Sequence, residues 1–173
     1  GIGASNVDAD GDVVMLANGD THVGRDIAHL ADAAGICHPD DPKVFGPVSN
    51  APGPDGGNLC QLGEYPSPHM PREAVTADRD GVEIYGDLNG FFLCFPSHVL
   101  RRYRHDAEHC FDPAFPWAKN ETAWYRQHCP QVFGAVGGSG AAGDPGNGNV
   151  VAPRLWVVPR THVYHHKHAS WRP

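Results

Sequence analysis

The run Phe91-Phe92-Leu93-Cys94-Phe95 is apolar at every position, and Pro96 and Ser97 follow it. A strand with one face in water alternates apolar and polar side chains, whereas a strand buried on both faces is apolar throughout. The run therefore predicts a central, buried strand at residues 91–95. Ser97 is a favoured N-cap residue, so we expect a helix to begin directly after the strand.

That helix is predicted to cover residues 97–111 and to end at Asp112-Pro113. Its apolar side chains fall within about 120° of a helical wheel, which gives one face to pack on the sheet. These side chains are Val99, Leu100, Tyr103, Ala107, Cys110 and Phe111. A further short helix is predicted over residues 120–129, capped by Asn120 and stopped by Pro130.

Towards the N-terminus, the sequence predicts a hairpin and a helix. Residues 1–24 predict the hairpin, because the turn Asn18-Gly19-Asp20 separates two short strand-like runs. Apolar residues at i, i+3, i+4 and i+7 predict the helix over residues 25–34. Gly35 suits the position after its last turn, with Ile36 as the apolar contact that follows.

Shorter strands are expected on either side of the central one. Residues 73–96 predict a meander that includes a strand at 82–85 and the buried run at 91–95. Near the C-terminus, three short strands are predicted at 150–152, 155–158 and 161–166. Pro153 and Pro159 interrupt them, which is typical of edges and bulges.

Two segments predict loops. Residues 38–72 contain many Pro, Gly and Asp residues and read as a long loop pinned by Cys37 and Cys60. Residues 134–149 predict a flexible glycine-rich loop. The chain of 173 residues suits a single domain. The expected fold is α+β, with an antiparallel sheet of short strands and two or three short helices, stabilised by disulfides.

The cysteines indicate an oxidising compartment. They are Cys37, Cys60, Cys94, Cys110 and Cys129, and no two have CxxC spacing. Wide, irregular spacing in a Gly- and Pro-rich chain is typical of structural disulfides in secreted proteins. We expect one disulfide to involve Cys94 or Cys110, from strand to helix. Asn120-Glu121-Thr122 is an N-glycosylation sequon, which also favours a secreted, extracellular protein.

Charge and hydropathy exclude some partners. The formal net charge is −7, which argues against general nucleic-acid binding. No apolar run approaches the roughly 20 residues of a membrane span. The partner expected from these properties is an unknown protein or cell-surface molecule.

The segment His105-Asp106-Ala107-Glu108-His109 is the first candidate site. It matches the HxxEH pattern of the inverzincin metallopeptidases. On a helix, His105 and His109 lie one turn apart and could share a zinc ion, with Glu108 as general base. The alternative is a solvated helix face, since these side chains lie opposite the apolar stripe.

The C-terminal histidines are the second candidate site. On an extended chain, His162, His166 and His168 project from the same side, because side chains alternate with period 2. Imidazoles so spaced bind zinc or copper, and they can also act as acid and base without a metal. The alternative is a polar terminal segment without a site.

Two functions from different classes follow. One is a secreted binding protein, of the effector or toxin-like kind. The other is a small secreted hydrolase, dependent on histidines or on a metal. Geometry distinguishes them: imidazoles of the two candidate sites that converge in one cleft favour the hydrolase. Imidazoles that lie apart favour the binding protein.

Overall fold

A computed structural model describes residues 11–49, 81–84, 88–115, 120–129 and 151–165. In this part of the chain the elements, in order, are β1 (Val13–Ala17), β2 (Thr21–Val23), α1 (Ile27–Gly35), β3 (Lys43–Ser49), β4 (Val82–Ile84), β5 (Phe92–Pro96), α2 (Ser97–Arg102), α3 (Asn120–His128) and β6 (Arg154–His165). The fold combines helices with one sheet, to which all six of these strands belong. The α+β class is therefore correct in its coarse form.

The sheet is mixed, not antiparallel as the sequence predicted. The strand order is β1-β5-β3-β6-β2, and β4 pairs with β6. β3 and β6 run parallel, whereas the other pairs are antiparallel. The prediction is wrong because β3 lies inside residues 38–72, which the sequence predicts as a loop. Its seven residues are almost all buried.

β6 is a single strand of 12 residues where the sequence predicted three short ones. Its partner β3 accommodates Pro159 through a shift in register: Pro47 pairs with Val158, but Val48 pairs with His162. The extra residues form an irregularity in β6, the kind of place where a sheet tolerates proline. β4 also pairs with β6 and not with β5, so the predicted meander is wrong.

β1 and β2 do not form the predicted hairpin. They lie at opposite ends of the strand order, four strand spacings apart. Those spacings would amount to about 19 Å in a flat sheet, but the chain from Ala17 to Thr21 can span only about 14 Å. The sheet is therefore curved, and the Asn18–Asp20 turn joins its two ends. The amide of Asn18 donates to the carbonyl of Phe91, 2.9 Å away.

β5 is the central buried strand that its sequence predicts, since it lies between β1 and β3 and all its residues are buried. Its alternate side chains enter two apolar clusters. Leu93 and Phe95 lie in the first cluster, with α2 and α3 residues. Phe92 and Cys94 lie in the second, with α1 residues. The two clusters occupy opposite faces of the sheet, because neighbouring side chains of a strand point to opposite faces.

The helices differ in how well the sequence predicts them. α1 and α3 agree with their predicted ranges within a few residues, although Ile36 is 86% exposed and not an apolar contact. α2 ends at Arg102, nine residues before its predicted end. In the following loop, the amides of Glu108 and His109 donate instead to the Asp106 carboxylate.

No disulfide joins the four cysteines of the described residues. The prediction of stabilisation by disulfides is therefore wrong for these four. Cys94 lies in the second cluster and Cys110 in the first, on opposite faces of the sheet. The expected bridge between β5 and the following segment is therefore prevented by the alternation of side chains. Burial raises the pKa of the Cys94 thiol to about 12. Cys60 lies outside the described residues.

Other predictions also fall outside the described part of the chain, namely the loop 134–149 and most of the loop 38–72. Among the described helices, none is both long and apolar enough to cross a membrane.

α1 is attached to β6 through Asp26. The Asp26 carboxylate accepts a hydrogen bond of 2.8 Å from the amide of His162, and the Asp26 carbonyl accepts one of 3.1 Å from the Thr161 hydroxyl. All three residues are buried. These hydrogen bonds give partners to the Thr161 hydroxyl and the His162 amide, near the point where the register of β6 with β3 shifts.

We predict that Asp26→Ala lowers the free energy of unfolding by about 1–3 kcal/mol, because the buried His162 amide loses its acceptor. Urea denaturation followed by circular dichroism measures this change. Asp32→Ala, at an exposed position of α1, serves as the control, and its effect should stay below about 0.5 kcal/mol. Equal effects of the two substitutions would contradict the assigned role of Asp26.

Candidate functional site

The first candidate site lies in a compact loop, not on a helix. We call residues 105–110 the histidine loop. Its ends are joined by hydrogen bonds from the His105 amide to the Cys110 carbonyl (3.2 Å) and from the Asp106 amide to the His109 carbonyl (3.1 Å). Asp106 Oδ1 also accepts from the amides of Glu108 and His109, at 2.7 and 2.8 Å.

Asp106 organises this loop electrostatically. The Glu108 amide first, and then His109, hold the pKa of the Asp106 carboxyl at about 2. His109 Nδ1 lies 3.0 Å from both carboxylate oxygens. One nitrogen of His109 is therefore occupied by a local contact. The helical spacing that would let His105 and His109 share a metal is absent, and Glu108 is exposed.

His105 lies near enough to His128 to act on it electrostatically, and sequence reasoning missed His128. His128 ends α3, and its ring packs against the rings of Trp124 (5.0 Å between centroids) and Tyr103 (5.8 Å). Burial first, and then the charge of His105, lower the pKa of His128 to about 4. Nothing in the spacing of residues 105 and 128 predicts this proximity, because it depends on how α3 packs.

Two nitrogens of this imidazole pair have no hydrogen-bond partner. They are His105 Nδ1 and His128 Nε2, and both atoms are buried. The other ring nitrogen of His105, Nε2, lies 4.0 Å from Asp112 Oδ1. At neutral pH, His128 is uncharged and His105 has a carboxylate beside it. Such an arrangement can accept and donate protons.

A metal finds few ligands in this part of the protein. Among the described residues, no group of three or more His, Cys, Asp or Glu side chains could hold a metal ion. A structural or catalytic zinc needs at least three protein ligands. The zinc role of His105, Glu108 and His109 thus loses its geometric basis, while their participation in catalysis stays a prediction.

The second candidate site is only partly within the described residues. His166 and His168 lie outside them, and His162 is buried with its amide bonded to Asp26. Zinc or copper binding by the C-terminal histidines stays a prediction.

Their neighbour His165 makes a contact that helps to join the ends of the curved sheet. His165 Nε2 lies 3.2 Å from Asp20 Oδ1, and the two side chains are 13% and 6% exposed. The His165 ring also stacks on Phe91, with centroids 5.2 Å apart. Asp20 belongs to the turn after β1, so this contact links the turn to the end of β6.

Two described histidines, His128 and His165, lie against different apolar clusters. His128 packs on Trp124 and Tyr103 of the first apolar cluster. His165 stacks on Phe91 of the second cluster, which lies across the sheet. These two histidines therefore do not share one cleft.

A different surface is formed by residues 36–42, which we call the α1–β3 loop. Its backbone is held by bonds from the Ile36 amide to the Asp32 carbonyl (3.2 Å) and from Arg102 Nη1 to the Pro39 carbonyl (3.1 Å). Arg154 Nη2 of β6 lies 2.6 Å from Asp41 Oδ1. Lys43 first, and Arg154 as well, hold the pKa of Asp41 below its usual value.

The glycosylation candidate Asn120 begins α3, and its Oδ1 accepts from the Glu121 amide at 2.7 Å. The residue is half-buried. Glycosylation there stays a prediction.

Comparison of the chain with protein-family models, with curated proteins and with solved structures finds no match. The function is therefore inferred from the residues of this chain.

We predict that Asp106→Ala speeds amide exchange at Glu108 and His109, because both amides lose their acceptor. Since the pKa of Asp106 is lowered to about 2, the wild-type bonds persist above pH 4 and are lost as the pH falls towards 2. Hydrogen exchange followed by NMR measures both effects. Glu108→Ala, in the same loop, should leave the His109 amide protected. Unchanged exchange in Asp106→Ala would refute the assigned role.

Proposed function

We propose that this protein is a secreted binding protein, of the effector or toxin-like kind, which contacts a protein or cell-surface partner. The proposal rests on the exposure of Ile36, which is 86% exposed. The loop that carries Ile36 is held by contacts with α1, α2 and β6. Disulfide stabilisation is not part of the proposal. The secreted location rests on the cysteine spacing and on the sequon at Asn120.

The α1–β3 loop has the properties of a preorganised contact surface. Ile36 stands at the C-terminal end of α1, and the neighbouring His38, Pro39 and Asp40 are also exposed. Arg102 and Arg154 hold the loop from α2 and β6. A loop that is already ordered loses little conformational entropy on binding, so the apolar contact of an exposed isoleucine contributes more fully to affinity.

The separation of the histidines supports the same class of function. Convergence of the imidazoles in one cleft would favour catalysis, but His128 packs on the first apolar cluster and His165 on the second. His109 contacts Asp106, and His165 contacts Asp20, so both rings serve local structure. A scaffold of this kind suits recognition through its surface loops.

The test is binding of the fluorescently labelled protein to intact cells of several types, measured by flow cytometry. We expect saturable binding that unlabelled protein displaces. Ile36→Gln should weaken it about tenfold or more, as loss of an apolar anchor does. Ala28→Gln, at an exposed position of α1, should bind like the wild type.

Two results would contradict the proposal. One is binding that never saturates or that unlabelled protein does not displace on any cell type. The other is equal affinity of Ile36→Gln and Ala28→Gln, which would remove the α1–β3 loop from the contact surface.

A second candidate function, a metal-independent hydrolase, is favoured by the His105–His128 pair. General acid–base catalysis needs an uncharged imidazole and an oriented partner. His128 is uncharged at neutral pH, and Asp112 lies 4.0 Å from His105. This geometry fits hydrolysis of an ester or phosphodiester better than a zinc mechanism.

We test this alternative with p-nitrophenyl acetate and bis(p-nitrophenyl) phosphate, using protein treated with EDTA. The hydrolase hypothesis predicts turnover that falls 100-fold or more in His105→Ala and His128→Ala, the usual size of an acid–base contribution. The exposed His38→Ala is the control. Turnover equal to that of buffer, or equal in all variants, would eliminate the hypothesis.

A further inference from the structure

The end of α3 is packed on the protein through aromatic side chains. Trp124 lies edge-on to Phe95 of β5, with ring centroids 5.4 Å apart, and its Nε1 donates to the Tyr103 carbonyl at 2.8 Å. Trp124 and Tyr125 are almost completely buried. His128 lies one turn further along the helix and packs on Trp124 and Tyr103.

The position of His128 suits a neutral ring and not a charged one. Its Nε2 is buried and has no acceptor, so an added proton there would have no hydrogen-bond partner. An imidazolium without a partner in an apolar site is costly, and the cost is relieved when the ring reaches water.

We infer that His128 is an acid-sensitive latch: protonation of its ring releases α3 from the sheet and exposes the Trp124 face. The inference stands apart from the proposed binding function, which rests on the α1–β3 loop. The Trp124 face would then be a second surface, which is exposed only at mildly acidic pH.

The charges around the pair act on its two members differently. Asp112 lies near His105 Nε2 and compensates a proton on that ring. Among the described residues, His128 packs on the Tyr103 ring, which Arg102 also contacts, and the His105 amide donates to the Cys110 carbonyl. His128 is therefore the ring on which protonation is least compensated.

The direction of the pH effect follows from linkage. The pKa of His128 is about 4 when α3 is packed and 6.5 for an exposed imidazole. Between these values the released form binds more protons than the packed form, so the released population rises as the pH falls. Each unit of difference between the pKa values of His128 in the packed and released forms corresponds to a factor of ten in the equilibrium, once His128 is protonated in both forms.

The experiment is hydrogen exchange with mass spectrometry on the whole chain, at pH 7.5 and pH 5.0, expressed as protection factors. We expect protection of residues 120–128 to fall on the order of tenfold at pH 5.0. Protection of α1 should stay the same. His128→Phe keeps an aromatic ring without a titrating group, so it should abolish the difference, whereas His29→Phe on the exposed face of α1 should retain it.

Equal loss of protection in α1 would indicate global unfolding by acid and would overturn the latch. So would unchanged protection of α3 at pH 5.0, or a His128→Phe variant that responds like the wild type. If that variant fails to fold, NMR titration of the wild-type His128 ring decides the question: a midpoint below about pH 5.5 supports the latch, and a midpoint at or above it overturns the latch.

Discussion

Pairing of β6 along both of its edges is the constraint on which the rest of the structure depends. One edge pairs in parallel with β3, while the other pairs with β4 near its beginning and with β2 near its end. A parallel pair needs a long connection, so β3 and β6 come from distant parts of the chain. With β2 fixed on β6 and β1 fixed on β5, the short Asn18–Asp20 turn can be accommodated only if the sheet is curved.

The same constraint decides where the histidines lie. The sheet divides the apolar side chains into two clusters, and the imidazoles follow this division. His165 meets Asp20 and Phe91 where the two ends of the sheet approach. His105 and His128 meet on the other face, where α3 covers β5. The chain is rich in histidine, and His109 and His165 among the described imidazoles make local contacts with Asp106 and Asp20.

Local signals in the sequence predict the elements that depend on local interactions. The apolar period of α1, the Asn and Pro that bound α3 and the continuous apolar run of β5 all agree with the structure. Non-local pairings escape such reasoning. β3 contains glycine and proline and reads as part of a loop, and only its burial between β5 and β6 makes it a strand. The sequence predicts the turn at Asn18–Asp20. A turn signal does not show, however, whether the two strands beside it pair with each other or with other strands. After α2 ends at Arg102, the Asp106 carboxylate accepts hydrogen bonds from the amides of Glu108 and His109. A side chain that competes in this way for backbone amides does not show in helical periodicity. His128 could not be predicted as the neighbour of His105, since 22 residues separate them and only tertiary packing joins them.

The placement of His128 and His165 in separate clusters is tested most directly by a NOESY spectrum of the uniformly labelled protein, with the imidazole ring protons assigned. We expect cross-peaks from the His128 ring to Trp124 and from the His165 ring to Phe91, in two separate sets. Contacts that join His105 or His109 to His162 or His165 would contradict it. They would show that the imidazoles share one cleft, and they would replace the binding protein with an enzyme.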